Sequence, residues 1–486
     1  MPAIVEELER LSNAVARLAS LQEPVDHDTT CAALGEKTLQ LLRAAGTVHD
    51  AQGDEAAGAA VLDAAQLQVL AACQSETELV KCLTPVLWRL RVAGDVGDDA
   101  CRYVLVNGEN CRWLDNLVAP LPPGMRLKPD LFLAPRVFLK ERAGTDKQGS
   151  GDCFIFGGLA HRRLQRDGCV RELYEAKLES LTHAHLGELV KYHRLIPGHC
   201  RGMLFNGRQF WLFASSEGHP AKLVRGTWAA PGSERLVRRF FDDPPPPPPL
   251  LPLLRQLLSA LRLRIAPAGG TAFLGAGGTG RVVAVRSLDE PAAAAPRMAL
   301  KLVPAAASGT WMEDLTHEFK ALCDAASLGA PVVPAVAGSL CLLEAGGGFL
   351  LAACGEPYDA TRSGAACGGA FDALAALHAR GVLHGDARLA NLLLVGGAAA
   401  WVDPSVGCVL AGLDAHARAA NCRLDMQTLA RSVLLPPGAD ATPLPVSVAG
   451  AIAAYSDSDA DAVRTLAAAV WAAAKGSTET TVPVAG

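Results

Sequence analysis

No two of the fourteen cysteines in this 486-residue chain stand as a C-x-x-C pair; they are scattered along its length. That spacing excludes a zinc ribbon, and a reducing intracellular setting, cytoplasmic or nuclear, is the expectation. Nowhere does an uncharged apolar run approach the roughly eighteen residues a membrane helix needs, so no membrane partner is expected. The opening stretch MPAIVEELERLSNAVARLASL is amphipathic rather than a charged stub followed by an apolar run, so no secretory leader is expected either. Aromatic residues make up only 5% of the chain, against 47 glycines and much alanine. The core must therefore be built from Leu, Val and Ala, and a lone glycine motif carries little weight.

What the chain does have is length and an uneven distribution of charge. It is long enough for two or three domains, each burying its own core. The net charge of −5 conceals 7 basic and 16 acidic side chains in residues 1–100, 22 and 13 in 101–240, and 16 and 21 in 241–486. Only the middle region suits a polyanion such as nucleic acid.

Asp242 and Asp243 precede six prolines, Pro244 to Pro249, which read as an extended polyproline spacer and as a ligand for an SH3- or WW-type partner. A softer boundary falls in the Ala/Gly/Asp-rich region 45–60, and the tail from about 475 reads as frayed. The expected organisation is a helical segment at 1–58, a domain at 59–241, a linker at 242–252, a second domain at 253–475 and a disordered tail at 476–486. Apolar residues recur at helical spacing in Val5 to Leu21, Leu39 to Leu42 and Ala59 to Leu90. From Tyr103 short apolar runs replace them, with one helical stretch near 183–196 and a hairpin turning at Asn206-Gly207, so the middle domain reads as mixed α/β.

In the second half, LGAGGTGRVVAV supplies Gly275, Gly277, Gly280 and Val282 in G-x-G-x-x-G-x-V spacing, where missing side chains let backbone approach phosphate. MALKLV follows with Lys301 on a strand, and HEFKAL places Glu318 in a helical segment seventeen residues on. GVLHGDARLANLLLV carries His384-Gly385-Asp386 with Asn391 five residues after the aspartate, and AWVDPSVG carries Asp403. Asp425 in NCRLDMQTLARSVL reads either as a buried aspartate tying down the loop or as an ordinary helix N-cap.

In this order these features resemble the protein-kinase superfamily, over roughly 160 to 200 residues of the chain. The resemblance implies a two-lobed α+β fold and a Ser/Thr phosphotransferase that uses ATP and Mg²⁺. Lys301, fixed by Glu318, would grip the phosphates, Asn391 and Asp403 would hold metal, and Asp386 would position the acceptor hydroxyl of a protein substrate. His-Gly-Asp lacks the arginine that reads a phosphorylated activation loop, Asp-Pro-Ser replaces Asp-Phe-Gly, and only 22 residues separate Asp403 from Asp425 with no A-P-E element. Those departures keep open a nucleotide-binding pseudokinase and a small-molecule kinase.

In the middle region RLKPDLFLAP places Asp130 at the start of an apolar strand, and RELYEAKLES places Glu175 and Lys177 in another. The triplet resembles the PD-(D/E)XK nuclease superfamily. That likeness implies a restriction-endonuclease-like α/β fold with a mixed sheet, Mg²⁺ or Mn²⁺ on Asp130 and Glu175, and Lys177 orienting water or stabilising charge on phosphate. Glu188 and Tyr192, one turn apart, match the helix that follows in several members, and Glu78 is a candidate further metal carboxylate. The 45-residue gap between Asp130 and Glu175 implies an inserted excursion at 140–170. A nuclease-like domain joined to a kinase-like domain resembles Crinkler-type effector proteins, although their L-x-L-F-L-A-K recruitment motif is absent.

Overall fold

The computed structural model describes residues 31–50, 58–91, 103–107, 129–140, 154–156, 159–160, 170, 172–194, 199–216, 219–242, 250–266, 272–276, 280–291, 298–305, 308–404, 413–435, 442–456 and 459–479. The proline run, Gly277, the segment 405–412 and the first thirty residues lie outside them. The described chain is mixed α/β and divides into two compact units, residues 1–252 with 269–273, and residues 253–268 with 274–486. No helix among the described residues is long and apolar enough to cross a membrane.

The first unit is built on an eight-stranded sheet in the order β1-β10-β9-β8-β7-β3-β2-β5. Its strands are β1 (Val48–Asp50), β2 (Tyr103–Asn107), β3 (Leu131–Pro135), β5 (Phe154–Phe156), β7 (Glu172–Ala176), β8 (His199–Phe205), β9 (Gln209–Ser216) and β10 (His219–Thr227). Two further short strands, β4 (Leu139–Lys140) and β6 (Leu159–Ala160), pair with each other in the expected excursion. β7 runs parallel to β8, β1 to β10 and β2 to β5, while the other neighbours are antiparallel.

Alternate residues of these strands feed two faces. Tyr174, Met203, Phe205, Phe210 and Leu212 pack with α2 (Ala64–Ala71), α3 (Glu76–Arg91) and α5 (Ser233–Asp242) around the fully buried Trp228. The opposite face takes α4 (His183–Arg194), whose His193 stacks edge-on against Phe213 at 4.8 Å. α1 (Cys31–Ala44) lies against α4 at glycine contacts: a Cβ on Gly35 would stand 1.7 Å from the His183 carbonyl oxygen, and one on Gly187 1.8 Å from that of Cys31.

One expectation changes here: residues 31–50 are not a separate helical segment, because β1 joins the sheet edge beside β10 and α1 covers α4. The helical spacing from Ala59 to Leu90 forms two helices: Asp63 and Gln66 form a capping box that starts α2, and the Ser75 hydroxyl accepts the Glu78 N–H at the start of α3.

The second unit opens with α6 (Leu250–Ala260), of which Leu253 onward belongs to it, and an antiparallel sheet follows. β11 (Leu263–Ile265), β13 (Arg281–Ser287), β14 (Met298–Pro304), β16 (Gly346–Leu351) and β15 (Cys341–Leu343) lie in that order, with β12 (Phe273–Ala276) also on β13. α7 (Trp311–Ser327) packs on it through Leu315 and Leu322. The strand β16 begins with three glycines that admit close neighbours on both faces. A Cβ on Gly347 would meet Leu315 of α7 at 2.8 Å, and one on Gly348 would meet Leu257 of α6 at 2.9 Å.

Beyond the sheet come a small three-stranded sheet, β17 (Glu356–Pro357), β18 (Leu392–Val395) and β19 (Ala398–Trp401), and four helices. These are α8 (Gly364–Ala379), α9 (Ala415–Leu434), α10 (Val446–Ala454) and α11 (Ala460–Glu479), packed around Phe371, Leu374, Trp401, Met426 and Leu466. α11 carries on through the stretch from 475 that reads as frayed, ending at Glu479.

Candidate functional site

In the second unit Gly280, just before β13, stands next to β14. Val282 sits directly across the ladder from Lys301. A Cβ on Gly280 would stand 2.8 Å from Cε of Lys301, so at that position glycine keeps the lysine side chain uncrowded; Gly275 has open space around it.

Lys301 is the centre of a buried cluster. Its Nζ donates to both carboxylate oxygens of Glu318 on α7, at 2.6 and 2.7 Å, and to Oδ1 of Asp403 at 2.6 Å. Burial works against its ammonium, but the two carboxylates outweigh that and hold its pKa above the ordinary lysine value. Burial raises the Glu318 carboxyl to about 7, with Asp403 adding to the rise and Lys301 opposing it. For Asp403 burial also pushes upward, yet Lys301, Glu318 and His384 together outweigh it and the pKa ends below the usual value. Asp403 adopts φ of 56°, in the left-handed region where aspartate is among the few side chains tolerated.

The loop between α8 and β18 is tied down by one carboxylate. Asp425, buried in the interior of α9, accepts the backbone N–H of His384 at 2.8 Å and of Gly385 at 2.9 Å, and its Oδ2 also lies 3.1 Å from His378 Nε2. His378 is held from its other nitrogen by the Tyr455 hydroxyl at 2.9 Å. The N-cap of α9 is Asp414, so the capping alternative for Asp425 is set aside. Gly385 has φ of +79°, which explains a glycine between His384 and Asp386. The His384 imidazole, its pKa lowered by burial, meets the Val402 carbonyl at 3.0 Å, and its ring lies 4.7 Å from that of Trp401.

These contacts set Asp386 between two donors. Asn391 Nδ2 donates to its carbonyl oxygen at 2.9 Å and to its Oδ2 at 3.1 Å, and Arg388 Nη2 donates to the same Oδ2. An amide that donates through Nδ2 leaves Oδ1 as the atom suited to a cation. In the sequence Arg388 is legible only as the R of an H-G-D-x-R-x-x-N motif and His378 only as the end of the preceding helix, while nothing local points to Tyr455.

The first unit assembles its own cluster where β3 and β7 pair, with Leu131 opposite Tyr174. Asp130, just before β3, accepts the Ala176 N–H through Oδ2 at 2.7 Å. Lys177, just past β7, bonds Glu175 Oε1 at 2.8 Å and Glu188 Oε2 of α4 at 3.0 Å, and the Tyr192 hydroxyl donates to Glu188 at 3.1 Å. Glu175 is 5% exposed at its side chain, and its Oε2 is buried with no hydrogen-bond partner. Burial, then the charges of Asp130 and Glu188, raise its carboxyl well above the usual range against the pull of Lys177. Burial, reinforced by Glu175 and Glu188, also raises the Tyr192 phenol.

Burial disfavours the Lys177 ammonium, yet Glu175 and Glu188 reverse the balance and raise its pKa, so it stays charged. Glu78 does not reach this cluster: its Oε2 accepts the Gln74 N–H at 2.7 Å, while Glu76 comes within 4.0 Å of Lys177 Nζ. The S-x-x-E spacing of Ser75 and Glu78 was the overlooked signal for a capping role. Among the described residues no group of three or more His, Cys, Asp or Glu side chains is arranged to hold a metal.

No family model matches the chain, and no curated protein does. Among solved structures, the kinase domain of PknI from Mycobacterium tuberculosis is similar at 18% identity, over 45% of this chain and 96% of that one, with a TM-score of 0.28. A mutant form of the same kinase domain is similar at 18% identity, over 45% and 95%, with the same TM-score of 0.28. At that identity and TM-score the likeness is no ground for an activity.

Proposed function

We propose that the second unit is a phosphotransferase of protein-kinase type that uses ATP and Mg²⁺ and transfers phosphate to a Ser or Thr hydroxyl. One observation carries the reading: Lys301 bonds both Glu318 and Asp403 in a buried cluster beside Gly280. A strand, a helix and a hairpin exit each supply one member, a costly arrangement unless the charges do work. Carboxylate and amide oxygens from Asp403 and Asn391 are the hard donors that Mg²⁺ accepts alongside phosphates. When bound, the ion would neutralise charge on the β- and γ-phosphates.

The chain's own residues account for the rest. Lys301 would hold phosphate oxygens, with Glu318 keeping the ammonium in place. Asp386, oriented by Arg388 and Asn391, would accept the hydroxyl proton as oxygen attacks the γ-phosphorus and ADP leaves. Transfer from γ-labelled ATP by the full chain tests this. Asp386→Ala should lower transfer about 10²- to 10⁴-fold while nucleotide binding persists, and unaltered turnover in that variant would sink the assignment. Stabilisation by Mg-ATP without transfer to any acceptor would favour a pseudokinase, and transfer to aminoglycosides or choline but not proteins a small-molecule kinase.

A second reading, metal-dependent phosphodiester cleavage by the first unit, is favoured by the unpartnered Glu175 Oε2 next to Asp130 and Lys177. An orphaned buried acceptor in an acidic cluster fits Mg²⁺ or Mn²⁺, which bind through one or two carboxylates and retain water. When bound, such an ion would activate water and polarise phosphate. Lys177 would then face the developing negative charge. Incubating the full chain with DNA and with RNA, plus either cation, is the test; equal trace cutting by wild type and Lys177→Ala would mean contamination. The pairing of both activities is where the Crinkler-type resemblance belongs, together with an SH3- or WW-type partner for the prolines, and both rest on the sequence.

A further inference from the structure

We propose that Cys73 and Cys82 form a redox modification site, closing reversibly to a disulfide by exchange with a low-molecular-weight disulfide. Their Sγ atoms lie 3.9 Å apart. Cys73 sits in the turn between α2 and α3, its thiol also reaching the Val69 carbonyl at 3.5 Å, and Cys82 projects from α3. Both are half-buried. Cys200, Cys367 and Cys422, by contrast, are buried.

The turn holds the pair in register. Ser75 Oγ accepts the Glu78 N–H and Glu78 Oε2 accepts the Gln74 N–H, so the chain from Cys73 into α3 is pinned at two points. A disulfide needs its sulfurs at ~2.05 Å, so side-chain rotation has only the remainder of the 3.9 Å separation to close.

In the exchange, one cysteine thiolate attacks a sulfur of the small disulfide and expels a small thiol, leaving a mixed disulfide. The second cysteine attacks the protein sulfur of that intermediate and expels a second small thiol. One small disulfide is thereby reduced to two thiols, two protein thiols are oxidised, and their two protons end on the released thiols. Burial, the Cys82 thiol and the Glu78 charge push the Cys73 thiol up to about 11, which makes Cys73 a slow responder rather than a catalytic thiol.

The bond would close a ring over residues 73–82, and that ring contains Glu76, the carboxylate 4.0 Å from Lys177. Oxidation would therefore fix the first turn of α3 over the acidic cluster of the first unit. The modification itself does not depend on either proposed activity.

The test uses the full chain, reduced and then equilibrated with mixtures of oxidised and reduced glutathione, alkylated and digested with trypsin without reduction. Cleavage after Arg43, Lys81 and Arg89 separates the two cysteines into peptides 44–81 and 82–89. We expect these two peptides linked, released on reduction, and replaced in Cys82→Ser by a glutathione adduct on peptide 44–81. Recovery of both wild-type peptides as free thiols, or as separate glutathione adducts, overturns the proposal. So does a linkage pattern in the folded chain identical to the scrambled one formed in guanidinium. Because the wild-type peptide map decides, a variant that fails to fold leaves the answer intact.

Discussion

Asp425 accepts the backbone N–H of Gly385 at 2.9 Å, so a side chain on α9 fixes the conformation of the residue next to Asp386. The other oxygen takes the His384 N–H and His378. Asp425→Asn would place an amide N–H against at least one of these donors. The expected cost is about 2–3 kcal/mol, with faster hydrogen exchange at the 384 and 385 amides. Unchanged exchange there would show that the loop holds itself.

The Glu318 carboxyl, raised to about 7 by burial with Asp403 beside it, gives a pH dependence with a definite sign. Below that value the carboxyl carries its proton and the ion pair with Lys301 is lost. Phosphate transfer should therefore rise as pH increases through about 7, and Glu318→Gln should lower the rate and flatten that limb. The stability contribution runs the other way: a folded pKa raised above 4.5 favours the fold at low pH, and the benefit fades as pH climbs to 7.

Glu175→Gln should stabilise the first unit, by about 1 kcal/mol at neutral pH, while abolishing any metal-dependent cleavage. The carboxyl is raised by burial first, then by Asp130 and Glu188, so the folded state prefers it protonated. Its help to stability is complete below the unfolded carboxylate pKa and is lost as pH rises through the folded one. The advantage of the glutamine variant should accordingly widen with pH, read from denaturant midpoints. A variant less stable than wild type at every pH would show that Lys177 needs that charge more than the core resents it.

Gly35→Ala should destabilise the first unit by about 1–3 kcal/mol or more, because the new methyl would meet a backbone carbonyl that cannot rotate away. Thermal unfolding of this variant and of Gly187→Ala should give similar losses. A double variant should lose less than the sum, since one separation of α1 from α4 relieves both clashes.

Much of this was legible where chemistry is local. Lys301, Glu318, Asp386, Asn391 and Asp403 were named from motifs that resemble those of protein kinases, and the structure places Lys301, Glu318 and Asp403 in one cluster and Asp386 and Asn391 in another. Partners distant in sequence were not legible: Tyr455 meets His378 across 77 positions, and β1 finds β10 only once the sheet exists. The Asn206 hairpin shows the middle ground. The turn falls where Asn-Gly suggested, but Asn206 closes it through its side chain, with Oδ1 accepting the N–H of Arg208 and of Gln209 at 2.8 Å each.

The glycine strand β16 gives the Lys301 cluster a mechanical setting. Leu315 and Trp311 of α7 rest where Gly347 has no side chain, and Glu318 follows one turn later on the same helix. The distance between the two charges is thus gauged by an absent methyl on a residue that touches neither. Adding it would act as a wedge under the helix, opening the ion pair as a door is opened from its hinge.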